Sequence, residues 1–109
     1  MRYKHRSYRE RYGKLMEDLI VNVQRIIENF DSVCNDLYQQ EQKRAYDKLN
    51  IVLGDLTQVL NEISLVEGFD MNKLMNNLAE ALKAMEEMDY VLLADIIKYE
   101  IIEQLTTLS

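Results

Sequence analysis

The chain contains no proline, and glycine occurs only at Gly13, Gly54 and Gly68 among its 109 residues. Proline and glycine are the residues that most often end helices and form the tight turns of β-rich proteins. Their scarcity therefore favours long helices joined by a few connections. Because 48% of the residues are apolar and 29% are charged, the composition is that of a globular protein. We expect a single domain, residues 1–109, with one hydrophobic core.

Apolar residues recur every three or four positions near the start of the chain, which places them on one face of an α-helix. This stripe consists of Leu15, Leu19, Val23, Ile26, Phe30, Val33 and Leu37. It predicts a first helix from about Ser7 to Gln39. A break at Asp31–Ser32, where either residue could cap a new helix, is the alternative. Because Val33 and Leu37 stay in phase with the preceding residues, the single long helix is favoured.

A second apolar stripe begins after the polar segment 39–43 and predicts the second helix. Its members are Tyr46, Leu49, Val52 or Leu53, Leu56, Leu60 and Ile63. Gly54 lies inside this stripe, where glycine costs about 1 kcal/mol relative to alanine. We therefore expect Gly54 to permit the close approach of a neighbouring helix.

The segment Val66–Asp70 predicts the clearest boundary between two helices. Gly68 can adopt the left-handed conformation that ends a helix, and Asp70 can accept hydrogen bonds from the first amides of the next helix. The third helix is predicted from Met71 to Glu87. The residues expected to point inward are Leu74, Met75, Leu78, Leu82 and Met85.

Asp89 is predicted to cap a fourth helix that runs from Tyr90 to Leu108. Short connections make sequence neighbours antiparallel. The sequence therefore predicts an all-α fold, an up-down-up-down antiparallel four-helix bundle with a long first helix.

The fourth helix carries two apolar stripes. The main stripe consists of Leu93, Ile97, Ile101, Leu105 and Leu108, widened by Val91, Ala94 and Ile102. The second consists of Leu92, Ile96 and Tyr99, separated from the first by Asp95 and Glu100. Because a surface helix needs one apolar stripe, the second must be covered by the first helix, by a second copy of the chain, or by a foreign helix or peptide. These five residues are the predicted partner-binding site.

The net charge of −6 hides a strong asymmetry. Residues 1–14 contain one acidic residue, Glu10, and six basic ones, namely Arg2, Lys4, Arg6, Arg9, Arg11 and Lys14. The remaining residues carry seven basic and eighteen acidic side chains. Residues 1–11 are predicted to form a basic, solvated arm at the start of the first helix. Because its cations alternate with tyrosines that can stack on bases, nucleic acid is an alternative partner, as are an acidic protein and the body of another copy.

Groups that perform chemistry are scarce. The one histidine, His5, lies in the arm, so catalysis by a histidine base or a histidine metal site is not expected. The single Cys34 has the pattern of a small buried hydrophobe. Glu100 and Glu103 have a spacing at which two carboxylates can hold a hard cation, but this spacing is more typical of a solvated face. We therefore predict no enzyme activity, no metal, no cofactor and no membrane contact. The absence of a long apolar stretch and the unpaired cysteine favour a cytoplasmic protein.

The run Asp89–Glu100, DYVLLADIIKYE, resembles the closing segment of small helical-bundle proteins of unknown function from anaerobic bacteria. Those proteins commonly read D-Y-V-L-L-A-D-I/L-L-E-Y-E, followed by a proline that this chain lacks. The resemblance covers mainly the C-terminal end and implies a helical-bundle fold without an established activity. More loosely, the length, helix number and acidic body are similar to flagellar and secretion export chaperones, which hold a partner's amphipathic helix.

These observations predict a non-enzymatic protein-binding, adaptor or chaperone-like bundle that self-associates through its fourth helix as a homo-oligomer, such as a dimer. The alternative is a regulatory protein that contacts nucleic acid through the basic arm.

Overall fold

A computed structural model describes the backbone of residues 2–109 and the side chains of residues 16–109. This part of the chain is helical and contains no strand. The first three helices are α1 (Arg2–Tyr38), α2 (Gln42–Ser64) and α3 (Met71–Glu86). The last helix, α4, is α-helical over Tyr90–Ile96, π-helical over Ile97–Ile102 and α-helical again over Glu103–Thr106. The predicted all-α class with four helices is confirmed within these residues.

The long first helix is also confirmed, since α1 continues through Asp31–Ser32 without a break. The molecule measures 59 × 24 × 18 Å. A helix of 37 residues, at about 1.5 Å per residue, is about 55 Å long. The length of α1 therefore accounts for the long axis of the molecule.

Two of the predicted helix starts are capped as expected. The Asp70 carboxylate accepts a hydrogen bond of 3.0 Å from the Lys73 backbone N–H. The Asp89 carboxylate accepts one of 3.2 Å from the Leu92 backbone N–H. Each aspartate thus satisfies one of the amides that have no partner within the first turn of the helix.

Each of the three connections contains one residue in the left-handed region of φ. Gly68 has a φ of +83°, as predicted for the end of α2. Gln40 after α1 and Met88 after α3 also have positive φ angles, of 63° and 57°. Because these two residues carry β-carbons, the conformation costs energy at both positions, and the surrounding helices must impose it.

One core runs between the helices. Its largest fully buried side chains come from all four helices: Phe30, Ile26, Leu56, Ile63, Leu74, Leu93, Ile97, Ile101, Leu105, Val23, Val33 and Val52. The main stripe predicted for α4 is thus confirmed at four of its five positions, and Leu108 is partly buried at its end. No helix in the part of the chain that the structure describes is long and apolar enough to cross a membrane.

Several predicted core positions on α3 and α4 were wrong. Met75 and Leu82 are about half exposed, because α3 turns Ala81 and Ala84 toward the core and leaves these larger residues at the edge. Val91, expected to widen the core stripe of α4, is 66% exposed. It lies two residues before the buried Leu93, which places it on the far side of the helix.

The prediction for Gly54 was also wrong. Gly54 is exposed, and a β-carbon built there would meet no atom within 4 Å. No neighbouring helix of the described chain approaches it closely, so this glycine weakens α2 without a packing benefit.

Candidate functional site

The three residues of the second stripe of α4 differ in their burial. Ile96 is 7% exposed, whereas Leu92 is 45% and Tyr99 is 55% exposed. The chain's own helices therefore cover Ile96 and leave the other two largely open. Of the three covers that the sequence allowed for this stripe, the chain's own helices supply the one for Ile96. Ile96 and Ala84 of α3 line the same groove.

A groove of about 320 Å³ runs between α3 and α4 at this place. Its lining residues are Glu80, Lys83, Ala84, Glu87, Leu92 and Ile96. The apolar members come mainly from α4 and form the floor, while the charged members come from α3 and form one rim. Such a groove can hold a side chain or helix face that is apolar at its centre and charged at its edge.

Apolar side chains continue from the groove onto the side of α4 that faces away from the core. We define the outer face of α4 as Met88, Val91, Leu92, Asp95 and Tyr99. All four apolar members are exposed. Met88 was not predicted to belong to a binding surface, and Val91 was predicted to lie in the core. The signal that could have found Val91 is its position two residues from Leu93, which is half a turn in a helix.

Asp95 connects this face to α1. The Tyr38 hydroxyl donates a 2.9 Å hydrogen bond to Oδ1 of Asp95. Partial burial is the main reason why the pKa of Tyr38 is raised to about 12, and this hydrogen bond to a carboxylate adds to it. Lys98 Nζ lies 5.8 Å from the ring centroids of both Tyr38 and Tyr99, within range of a cation–π interaction. The predicted residue Asp95 therefore helps to hold α4 in place.

Cys34 forms a second link between α1 and α4. It is buried, and its Sγ lies 3.5 Å from the backbone oxygen of Ala94, to which the thiol donates. Burial, with a smaller contribution from the negative charge of Asp31, raises the pKa of the Cys34 thiol to about 12. The thiol is therefore protonated at neutral pH and acts as a small packed group.

Asp36 is a buried charge that sequence reasoning did not single out. Its carboxylate lies 3.2 Å from Arg44 Nη2 and 2.8 Å from Lys48 Nζ, and Lys48 also donates to the Ser32 hydroxyl at 2.8 Å. The hydrogen bond from Lys48 is the main reason why the pKa of Asp36 is lowered, and Arg44 adds to it. This ion pair joins the end of α1 to the start of α2.

Glu100, the remaining predicted site residue, is exposed. It follows Ile96 by four residues and so continues the α4 side of the groove. Among residues 16–109, no three histidine, cysteine, aspartate or glutamate side chains come together as a metal site. The side chains of the predicted basic arm, Arg2, Lys4, Arg6, Arg9 and Arg11, lie outside the described residues.

Comparison with known proteins places the chain in a family. No curated protein and no solved structure matches it. A family described as a domain of unknown function matches residues 14–109, which include all four helices except the beginning of α1. This agrees with the resemblance to proteins of unknown function, and it leaves the basic segment before residue 14 outside the match. The chain belongs to the DUF8042 family, a domain of unknown function.

Proposed function

We propose that this protein is a non-enzymatic protein-binding bundle that self-associates through the outer face of α4. The observation that carries the proposal is the exposure of Val91, Leu92 and Tyr99 on one side of α4, together with Met88 in the turn before it. Single exposed apolar residues are normal on protein surfaces, but a continuous group of them marks a binding surface. An aromatic residue and a methionine are also enriched in the centres of interfaces.

The contacts that hold α4 in the bundle support this proposal. The helix is held to α1 by the Tyr38–Asp95 hydrogen bond and to α3 by the Gln104 side chain, whose Nε2 donates to the Asp70 backbone oxygen at 2.7 Å. A face carried by a helix that is fixed at both ends loses little conformational entropy when it binds.

Contacts between the ends of the helices support the up-down-up-down antiparallel order as part of the proposal. Asp36 near the end of α1 pairs with Lys48 near the start of α2. Tyr46 near the start of α2 donates to the backbone oxygen of Met85 near the end of α3. The Gln104–Asp70 contact joins the end of α4 to the start of α3. In this order α4 lies between α1 and α3 and presents its remaining side outward.

An adaptor or chaperone-like role follows from a surface that accepts another helix, as the loose similarity to export chaperones also implies. We place this role in the cytoplasm, where a single buried, unpaired thiol such as Cys34 is typical.

The test is the oligomeric state of the full chain, measured by sedimentation over a range of protein concentrations. We expect the wild type to reach twice the 12.9 kDa mass of one chain. The double variant Leu92→Asp/Tyr99→Asp introduces two charges on the outer face and should remain a monomer. Ile96 is kept because its burial would make an aspartate there unfold the bundle.

Ile51→Asp is the matched control, since Ile51 is also an exposed apolar residue but lies on α2. This variant should stay dimeric, and circular dichroism should show the same helicity for all three proteins. A wild type that is monomeric at every concentration would contradict the proposal. So would an equal loss of dimer in the Ile51→Asp control.

A further inference from the structure

We propose that the segment which occupies the α3–α4 groove is the basic N-terminal segment, residues 1–14, of a second copy of this chain. The inference rests on the proposed self-association and names the part of the partner that makes the contact. In a two-fold dimer each copy would give its segment to the groove of the other, so that the assembly closes.

The charges of the two regions are complementary. Residues 80–103, which form the groove and most of α4, contain seven acidic and two basic side chains, a net charge of −5. Residues 1–14 contain six basic side chains and one acidic one, a net charge of +5. Opposite potentials of this kind steer association and fix the register of the two surfaces.

The carboxylates lie along the α3 rim of the apolar floor, with Lys83 between two of them, and at one end of the floor. Glu80 and Glu87 line the groove from α3, and the exposed Glu100 continues the row of Leu92 and Ile96 on α4. A helix lying in the groove would therefore meet apolar atoms beneath it and carboxylates along the α3 rim and at one end. It would need an apolar or aromatic centre with cations at its edges.

The sequence of residues 1–14 has this pattern. Tyr8 and Tyr12 are four residues apart, so a helix would place them on one side, with Arg9 and Arg11 flanking them. The helical backbone of α1 begins at Arg2. Fourteen helical residues span about 20 Å, and the stretch from Glu87 to Glu100 contains the same number of positions and has about the same length.

The register of α1 against α2 sets how far the backbone of α1 reaches beyond the end of α2. Asp36 pairs with Lys48, and Asn29 lies beside Val52 in a shared groove. Continued at the same register, Ser64 at the end of α2 is level with about residue 17 of α1. The backbone before that position extends past the end of α2.

The test exchanges charges between the two surfaces in the full chain. The arm variant is Lys4→Glu/Arg9→Glu/Arg11→Glu, and the groove variant is Glu80→Lys/Glu87→Lys/Glu100→Lys. Each variant alone places like charges on both contacting surfaces, so its dimer should dissociate about 100-fold more readily than that of the wild type.

The decisive measurement is a mixture of equal amounts of the two variants, analysed by sedimentation and native mass spectrometry. In a mixed dimer the acidic arm meets the basic groove and the basic arm meets the acidic groove. We therefore expect a one-to-one heterodimer close to wild-type stability, weakened by added salt. If both variants lose their dimer and the mixture fails to restore one, the inference is overturned.

A control variant, Glu28→Lys/Glu62→Lys/Glu67→Lys, makes the same change in net charge at exposed positions away from the groove. It should remain dimeric. If it dissociates as much as the groove variant, total charge rather than the groove determines association, and the inference fails.

The outcomes separate this inference from the proposed function. If the arm and groove variants stay dimeric while Leu92→Asp/Tyr99→Asp dissociates, self-association through α4 stands and the arm is not the occupant. If the wild type is monomeric, both fall. If the arm variant stays dimeric but loses a duplex DNA that the wild type binds at physiological salt, the arm serves nucleic acid instead.

Discussion

Gly54 and Gly68 form a matched pair for testing the backbone of this protein. A β-carbon added at either position meets no atom within 4 Å, so steric contact contributes to neither substitution. The two differ in conformation, because Gly54 lies within α2 whereas Gly68 has a φ of +83°. Alanine should therefore stabilise the protein at the first position and destabilise it at the second.

The magnitudes follow from backbone energetics. In a helix interior, alanine is more favourable than glycine by about 0.8–1.0 kcal/mol, which is the expected gain for Gly54→Ala. At Gly68, the left-handed conformation costs an alanine about 1–2 kcal/mol, offset by about 0.4–1 kcal/mol because alanine restricts the unfolded chain. For a domain of this size, 1 kcal/mol changes Tm by about 4 °C.

The assay is thermal unfolding followed by circular dichroism, with all proteins at one concentration because association would make Tm depend on it. We expect Tm to rise by about 4 °C for Gly54→Ala and to fall by up to about 6 °C for Gly68→Ala. A fall in Tm for Gly54→Ala would refute the reasoning. It would mean that some surface, such as a second copy of the chain, touches Gly54 in solution.

Three further experiments test Asp36, the pair Ile96 and Leu92, and Cys34. Asp36→Asn should lower Tm at pH 7, because the pKa of Asp36 is lowered in the folded state. The stabilisation from its carboxylate is present above the unfolded pKa of about 3.9 and is lost as pH falls through the folded pKa. The curves of Tm against pH for the variant and the wild type should therefore converge in acid. Ile96→Ala should cost about 2–5 kcal/mol in urea unfolding, whereas Leu92→Ala, at a half-exposed side chain, should cost less than about 1 kcal/mol. The Cys34 thiol should react with Ellman's reagent far more slowly than a free thiol until urea unfolds the chain.

The helix starts at Asp70 and Asp89 were predictable because capping depends on a residue and the three that follow it. The positive φ angles of Gln40 and Met88 were not predictable in the same way. A residue with a β-carbon adopts a positive φ only when packing on both sides of the turn imposes it. The predicted ends at Gln39 and Glu87 lie one residue from the observed ends, so the sequence located these turns but not their backbone conformation.

The candidate site was predicted only in part, for a related reason. A helical projection correctly separated Leu92 and Tyr99 from the core stripe of α4. It could not show that Ile96 is covered, because that depends on where the other helices lie. Whether a side chain is buried between two helices depends on the positions of both helices.

The π-helical segment explains how the core stripe of α4 stays in phase. Leu93, Ile97, Ile101 and Leu105 are spaced by four residues, and all are fully buried. In a regular α-helix each step of four advances by about 40°, so Leu105 would lie about 120° from Leu93 and leave the core. The π segment Ile97–Ile102 holds one more residue per turn and absorbs this rotation.

The extra residue in the π segment predicts that the exposed Lys98 can be deleted without unfolding the protein. The core residues would then be spaced by four, three and four positions, which a regular α-helix keeps on one face. We expect the free energy of urea unfolding to change by less than about 1 kcal/mol, because only exposed contacts are lost. Deleting the exposed Gln58 from the regular helix α2 is the control. It rotates Val59 and Ile63 by about 100° out of the core and should unfold the chain. If both deletions unfold the protein equally, the π segment does not accommodate an extra residue, and the four-residue spacing needs another explanation.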